Sequence, residues 1–330
     1  MKKRALAIVI ALLLGLVLFY FWTQRGDEEE QAASDIIKVG ILKHESSLPL
    51  YLADSLGFFR ENGLDVKLID LPPGDHLPAL VSERVDIISP TSFPMLLGAM
   101  ENNPGVFYAI MPGAEVSSGE TVYGIITRKD FKGTDIHSLK GKKILAINPY
   151  TKVNLVNILH KVGFTENDVP AINIASRDIA LNAVLSNDAD ACILDQPSLA
   201  VALRSGNFRL LESNPRAKYL GSPYWSGSGA VKQEKWKKHK ELYARFMKAV
   251  DKAIAYSRDH KRESQRLLAK KLGIDPTISE QMGGYYFPVS TESVSLSEIQ
   301  KTVEALINAK LMKDTIDLKN IFPTGYYTVD

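Results

Sequence analysis

The sequence contains only one cysteine, Cys192, so no disulfide can form within the chain. With one thiol and six scattered histidines, the residue pattern predicts no metal site. Forty basic residues nearly balance 38 acidic ones, and this balance excludes the strong positive charge typical of nucleic-acid-binding proteins. The sequence also lacks a glycine-rich phosphate loop and a nucleophile elbow. These absences predict a protein without cofactor and without catalytic residues.

One long apolar run is present, at the N-terminus. Residues 5–22 are uncharged and apolar, follow the basic cluster Met1–Arg4, and end in the aromatic residues 19–22. The residues behind this run lack the small side chains of a cleavage site. We therefore expect an N-terminal transmembrane helix within residues 1–22, a polar tether at 23–35, and a body at the outer face of the cytoplasmic membrane. Cleavage and secretion are the alternative.

Strand and helix patterns alternate after the tether. Residues 36–42, 64–69 and 85–88 have the composition of strands, and residues 49–62, stopped by Gly63, form a helix pattern. Alternation at this spacing predicts an α/β fold in which a mostly parallel sheet is flanked by helices.

A weak internal repeat suggests two such lobes. The pattern of Asp75, Ala79–Ser82 and Asp86–Ile88 recurs as Asp178, Ala183–Ser186 and Asp190–Ile193. We expect lobe I to comprise residues 36–126 and 229–330, including C-terminal helices, and lobe II to comprise residues 127–228. The glycines of residues 226–231 are suited to a hinge between them.

Ligands of open α/β sheets bind at the carboxyl ends of strands, where loops lead into helix N-termini. Hydroxyl groups recur in these loops and suit either an oxyanion or simple helix capping. Basic Lys43, Lys152 and Arg177 favour an anionic ligand, whereas acidic Glu45, Asp75 and Asp195 favour an amine. Both possibilities stay open. The predicted ligand-binding residues are Lys43, His44, Ser46, Ser47, Asp75, His76, Thr91, Ser92, Tyr150, Thr151, Lys152, Asp195 and Tyr224.

The most distinctive segment of the sequence is Leu56-Gly57-Phe58-Phe59 followed by Gly63-Leu64-Asp65-Val66. In this segment the chain resembles the sulfonate, nitrate and taurine branch of periplasmic substrate-binding proteins, which includes binders of pyrimidine precursors of thiamine. Residues 138–144 and 285–288 add to it, and the resemblance runs over nearly all of residues 36–322.

The resemblance implies a type II periplasmic-binding fold whose two lobes close on a small polar solute. It further implies that the protein is a monomer that delivers this solute to an ABC permease with its ATPase. Two alternatives remain: a ligand-sensing module for a partner kinase, or an enzyme on the same fold. The single cysteine argues against the cysteine-rich pyrimidine synthases that share the fold.

Overall fold

A computed structural model describes residues 36–174, 176–279 and 281–329 of the chain. Among these residues, no helix is both long and apolar enough to cross a lipid bilayer. The predicted N-terminal helix at 1–22 and the tether at 23–35 lie outside the described residues.

Two five-stranded sheets organise the described part of the chain. Their orders are β2-β1-β3-β10-β4 and β7-β6-β8-β5-β9, which correspond position by position. We refer to the first sheet with its helices as lobe I and to the second as lobe II. The strands are β1 Ile36–Ile41, β2 Asp65–Asp70, β3 Ile87–Ser92, β4 Phe107–Glu115, β5 Tyr123–Arg128, β6 Ile144–Ala146, β7 Ala171–Asn173, β8 Ala191–Asp195, β9 Phe208–Ser213, β10 Tyr224–Lys232, and the short pair β11 Ser293–Val294 and β12 Thr328–Val329.

Both sheets are mixed, whereas the sequence predicted mostly parallel ones. In each sheet three strands pair in parallel, and the fourth, β10 or β5, is antiparallel to both of its neighbours. The reason is connectivity: β5 follows β4 of the other sheet and β10 follows β9 of the other sheet. A strand that crosses between lobes enters its new sheet from the opposite direction.

The repeat seen in the sequence has a structural basis. A carboxylate oxygen of Asp86 accepts a hydrogen bond from the backbone N–H of Lys38 at 2.9 Å. The equivalent Asp190 accepts one from Lys143, also at 2.9 Å. Each aspartate thus ties the start of its lobe's third strand to the start of the central parallel strand. Asp86 and Asp190 therefore stabilise strand pairing within their own sheets, and they lie away from the carboxyl ends of the strands.

The helices cover the faces of the two sheets. One predicted helix, over residues 49–62, is divided into two because Gly57 adopts a left-handed conformation with φ of 78°. The helices are α1 Leu48–Ser55, α2 Phe58–Glu61, α3 His76–Val81, α4 Phe93–Asn102, α5 Pro149–Lys161, α6 Arg177–Leu185, α7 Ser198–Arg204, α8 Pro215–Tyr219, α9 Gln233–Lys238, α10 Lys240–Asp259, α11 Lys261–Leu272, α12 Pro276–Ser279 and α13 Leu296–Asn308.

The glycine run that suggested a hinge lies inside β10. A Cβ atom on Gly229 would come within 2.7 Å of the carbonyl oxygen of Ile88 and 3.0 Å of that of Ile110. Glycine at this position therefore allows β10 to pack closely between β3 and β4. The chain passes between the two sheets in the segments before β5 and before β10.

Candidate functional site

A cavity of about 570 Å³ lies between the two lobes. Lobe I lines it with residues that follow β1 and with residues 90–92 at the end of β3. Lobe II contributes the first turn of α5, the end of β8 and the start of α8. The cavity therefore lies at the carboxyl ends of the parallel strands, where this class of sheet binds ligands.

Most of the residues singled out from the sequence meet in this cavity. Nine of them line it: Lys43, His44, Ser46, Thr91, Ser92, Tyr150, Thr151, Asp195 and Tyr224. The other four do not. Ser47 donates its hydroxyl to the Leu42 carbonyl at 2.8 Å, Asp75 faces Arg84 at 3.6 Å, His76 is buried, and Lys152 lies on α5 outside the lining.

An ion pair between Arg216, which lines the cavity, and the buried Glu115 lies at the site. Glu115 ends β4 of lobe I and Arg216 lies in α8 of lobe II, so the pair joins the lobes. The guanidinium carbon of Arg216 lies 3.4 Å from the ring centroid of Tyr123. Burial opposes the charge of Arg216, but the carboxylate of Glu115 and the hydroxyl groups of the surrounding tyrosines together outweigh it and raise the pKa of Arg216. Burial raises the pKa of Glu115, and Arg216 opposes that rise.

A second charged cluster centres on Asp195, at the end of β8. Arg177 of the same lobe donates two hydrogen bonds to one carboxylate oxygen, at 3.0 and 3.1 Å. His44 of lobe I brings its Nε2 to 3.6 Å from the other oxygen. Burial alone would raise the pKa of Asp195, but His44 and Arg177 hold it below its usual range. Asp195 is therefore a carboxylate anion that contacts both lobes.

Glu45 is a third buried acidic group at this site. Its side chain is 3% exposed, and neither carboxyl oxygen has a hydrogen-bond partner among the described residues. Burial raises the pKa of Glu45 well above its ordinary value, and the negative charges of Asp195 and Glu115 raise it further. Its neighbours His44 and Ser46 both line the cavity. An unpaired buried carboxyl is costly, so its presence here calls for a functional explanation.

Three other polar atoms of the lining residues lack partners among the described residues. They are the Tyr123 hydroxyl, the Nε of Arg216 and the Ser226 hydroxyl. Each is buried, and a buried donor or acceptor without a partner costs about 1 to 3 kcal/mol. A ligand that supplied partners would recover this free energy. The site therefore has the polar groups of a binding site within a largely preformed cavity.

Comparison with known sequences and structures places the chain among related proteins. Residues 44–264 match the profile of a family described as NMT1/THI5 like. The chain belongs to this NMT1/THI5-like family. The resemblance predicted from the sequence is thereby confirmed.

Two relatives of this chain are named for different functions, one as a binding protein and one as an enzyme. The chain is 23% identical to a putative aliphatic sulfonates-binding protein of Bacillus subtilis, over 97% of this chain and 94% of the relative. It is 32% identical over 148 residues to 4-amino-5-hydroxymethyl-2-methylpyrimidine phosphate synthase of Aspergillus parasiticus. That match covers 44% of this chain and 41% of the synthase, less than half of either protein.

A solved structure shows the same fold. The periplasmic aliphatic sulphonate binding protein of Escherichia coli superposes with a TM-score of 0.71 at 16% identity, covering 89% of this chain and 94% of the other. The NMT1/THI5-like chain thus has the α/β periplasmic-binding-protein fold, with two mixed sheets flanked by helices.

Several site residues of this NMT1/THI5-like protein could not be found by inspecting strand ends. Arg216, Glu115 and Tyr285 come from a short helix, from the far end of β4 and from a segment beyond α12. Two sequence signals were present: Asn214-Pro215 before Arg216 is typical of a helix start, and Tyr285 begins the stretch 285–288 that contributes to the family resemblance. Among the described residues, no group of three His, Cys, Asp or Glu side chains is placed to hold a metal ion.

Proposed function

We propose that this protein is the solute-binding component of an ABC importer, which captures a small polar solute between its lobes and delivers it to a permease. In this proposal the N-terminal segment holds the monomeric protein at the outer face of the cytoplasmic membrane. The solute is a small polar compound such as a sulfonate, nitrate, taurine or a pyrimidine-like molecule. Binding is reversible and involves no covalent chemistry.

One observation carries the proposal: a cavity of about 570 Å³ between two lobes whose lining includes buried polar atoms without partners. Residues from both lobes surround it, and two charged contacts, Arg216 with Glu115 and His44 with Asp195, span the lobes. Such contacts favour a closed arrangement of the lobes around a solute. Relatives named as sulfonate-binding proteins support the same function.

An enzyme on this fold is the second candidate, and one geometric feature favours it. The side chains of Ser46, His44 and Asp195 lie next to one another in space. The Ser46 hydroxyl is 3.1 Å from Nδ1 of His44, and Nε2 of His44 is 3.6 Å from the Asp195 carboxylate. The hydrogen bonds of Ser46 argue against a nucleophile, however. Its hydroxyl donates to the Pro90 carbonyl at 2.9 Å, and its backbone N–H already occupies Nδ1 of His44 at 3.2 Å. The histidine therefore lacks a free acceptor for the Ser46 proton.

Thermal unfolding of the full-length chain with candidate solutes tests the binding function. A solute at about a hundred times its dissociation constant should stabilise the folded state by roughly 2.7 kcal/mol. The panel contains sulfonates, nitrate, taurine, pyrimidines and aromatic acids. Selective stabilisation by one class, with no product detected by mass spectrometry, supports the proposal. Steady conversion of a bound compound to product would refute the binding function.

A matched pair of serine variants places the binding in the cavity. Ser226→Ala removes an unpartnered hydroxyl of the lining, whereas Ser297→Ala removes an exposed hydroxyl on α13. We expect the ligand-induced stabilisation to fall in Ser226→Ala and to be retained in Ser297→Ala. Equal ligand-induced stabilisation of Ser226→Ala and Ser297→Ala would contradict a contact between the ligand and this part of the cavity.

A further inference from the structure

We propose that this cavity selects a ligand that carries a cationic nitrogen, such as an ammonium or amidinium group, whose charge balances the unpaired carboxyl group of Glu45. The inference rests on the binding function proposed above and narrows its substrate class. It applies to a simple cation and to a larger molecule with one cationic end.

The first argument is that the chain already neutralises the cations of the cavity. In the described part of the protein, each lysine and arginine of the lining has a carboxylate partner. Lys43 lies 3.1 Å from Asp70, Arg177 lies 3.0 Å from Asp195, and Arg216 contacts Glu115. An anionic ligand must compete with these partners for its counter-charge.

The second argument is the carboxyl group that remains. Three basic side chains are matched by three acidic ones, and Glu45 is a fourth acid without a hydrogen-bond partner. With Glu45 ionised, these four carboxylates outnumber the lysine and the two arginines of the lining by one. Taking an unpaired charge out of water is costly, and one positive charge on a ligand offsets that cost.

Glu45 is close enough to the cavity for its charge to act there. It interacts electrostatically with Asp195 and Arg216, which line the cavity, and with Glu115 behind them. It also interacts with the hydroxyl of Tyr285, another lining residue. Because this environment is buried, charge interactions are screened less than at the surface.

Aromatic rings give the cation a second favourable contact. Four tyrosines line the cavity, namely Tyr123, Tyr150, Tyr224 and Tyr285. Two already lie near a cation of the chain, because the Arg216 guanidinium is 3.4 Å from the centroid of Tyr123 and 5.5 Å from that of Tyr224. Aromatic faces next to carboxyl groups are the arrangement that binds ammonium ligands.

Proton linkage gives the proposal a measurable signature. The raised pKa of Glu45 favours its protonated form in the empty cavity, and its neighbours Asp195 and Glu115 reinforce this while Arg216 opposes it. A bound cation favours the ionised form. Binding of a cation should therefore release a proton and strengthen as the pH rises, by at most about tenfold per pH unit for one proton.

Pairs of cations and their uncharged isosteres test the charge preference directly on the full-length chain. Benzamidine is compared with benzamide, and choline with dimethylbutanol, by calorimetry in two buffers of different ionisation enthalpy. We expect at least one cation to bind about tenfold or more tightly than its isostere, with release of a proton seen as a buffer-dependent heat. If neither cation binds more tightly than its isostere, the proposal is overturned.

Two isosteric substitutions assign the preference to Glu45. Glu45→Gln should abolish both the charge preference and the proton release. Asp251→Asn is the control, since Asp251 has a pKa also raised by burial but binds Ser290 outside the cavity. Should Glu45→Gln fold and keep the preference for the cation, the assignment is wrong.

The same measurements separate the two proposals. If benzoate or a sulfonate binds in the cavity and the cations do not, the charge preference is refuted while the solute-binding function stands. If a probe is converted to product, the binding function itself fails.

Discussion

The two lobes share one strand order but differ in how their cores are built. Lobe I has a single continuous core that includes the C-terminal helices, for example where the rings of Phe246 on α10 and Phe59 on α2 stack with centroids 5.3 Å apart. In lobe II the buried residues form two separate clusters, around Leu155 and around Leu199. The two lobes thus share a topology, but lobe I has one continuous core whereas lobe II has two separate ones.

The lobes also contribute different charges to the cavity. Acidic groups predominate in lobe I, which supplies Glu45, Asp70 and Glu115 against Lys43. Basic groups predominate in lobe II, which supplies Arg177 and Arg216 against Asp195. This asymmetry allows the lobes to attract one another across the cavity. The repeat therefore established the shape of the two lobes, and their divergent side chains created the site between them.

The largest expected effect comes from breaking a charge pair between the lobes. Arg216→Met leaves Glu115 buried without its counter-charge, so we expect the free energy of unfolding to fall by about 3 to 5 kcal/mol. Arg177→Met, at a half-exposed side chain, should cost about 1 kcal/mol or less. Chemical denaturation measures both.

The double variant Arg216→Met with Glu115→Gln separates pairing from packing. It removes both charges, so we expect it to recover part of the stability that Arg216→Met loses. A double variant as unstable as the sum of its single substitutions would contradict a role for the pair.

Matched core substitutions compare the two lobes directly. Leu50 on α1 and Leu155 on α5 occupy corresponding first helices, and both are fully buried. Truncation to alanine should cost about 2 to 5 kcal/mol at each position. We expect the larger loss at Leu50, because helices α10 and α11 pack against α1 and limit its relaxation. Equal losses in denaturant titrations would remove the distinction between the cores.

The pH dependence of stability sharpens the comparison at Glu45. Because the folded-state pKa of Glu45 is raised, its contribution to stability is present below its unfolded-state pKa and is lost as the pH rises through the folded value. We expect the empty protein to lose up to about 1.4 kcal/mol per pH unit from this group. Thermal unfolding of Glu45→Gln should show a weaker dependence of stability on pH. An unchanged dependence would argue against the raised pKa of Glu45.

The smallest effect is expected at a surface cluster of lobe I. Arg258 donates two hydrogen bonds to Glu292, at 2.9 and 2.7 Å, and lowers the pKa of Glu292 to about 2. The stability that this group contributes is present above its unfolded-state pKa and is lost as the pH falls towards about 2. Partial exposure limits the loss to about 1 kcal/mol. Acid titration of Glu292→Gln, with exposed Glu304→Gln as control, measures it.

The sequence by itself determined the local elements and the location of the site. Strand patterns, the repeat and the ends of the parallel strands predicted the α/β fold and nine residues that line the cavity. These features depend on residues that are close together along the chain, and the periodicity of apolar residues reflects this local structure.

Only the tertiary structure decided which distant groups meet. The mixed sheets follow from two crossings between the lobes, and the pairing of Arg216 with Glu115 joins positions about a hundred residues apart. The burial of Glu45 without a partner likewise depends on side chains from four separate segments. Desolvation and charge pairing are properties of the packed cavity, so no pattern along the chain encodes them.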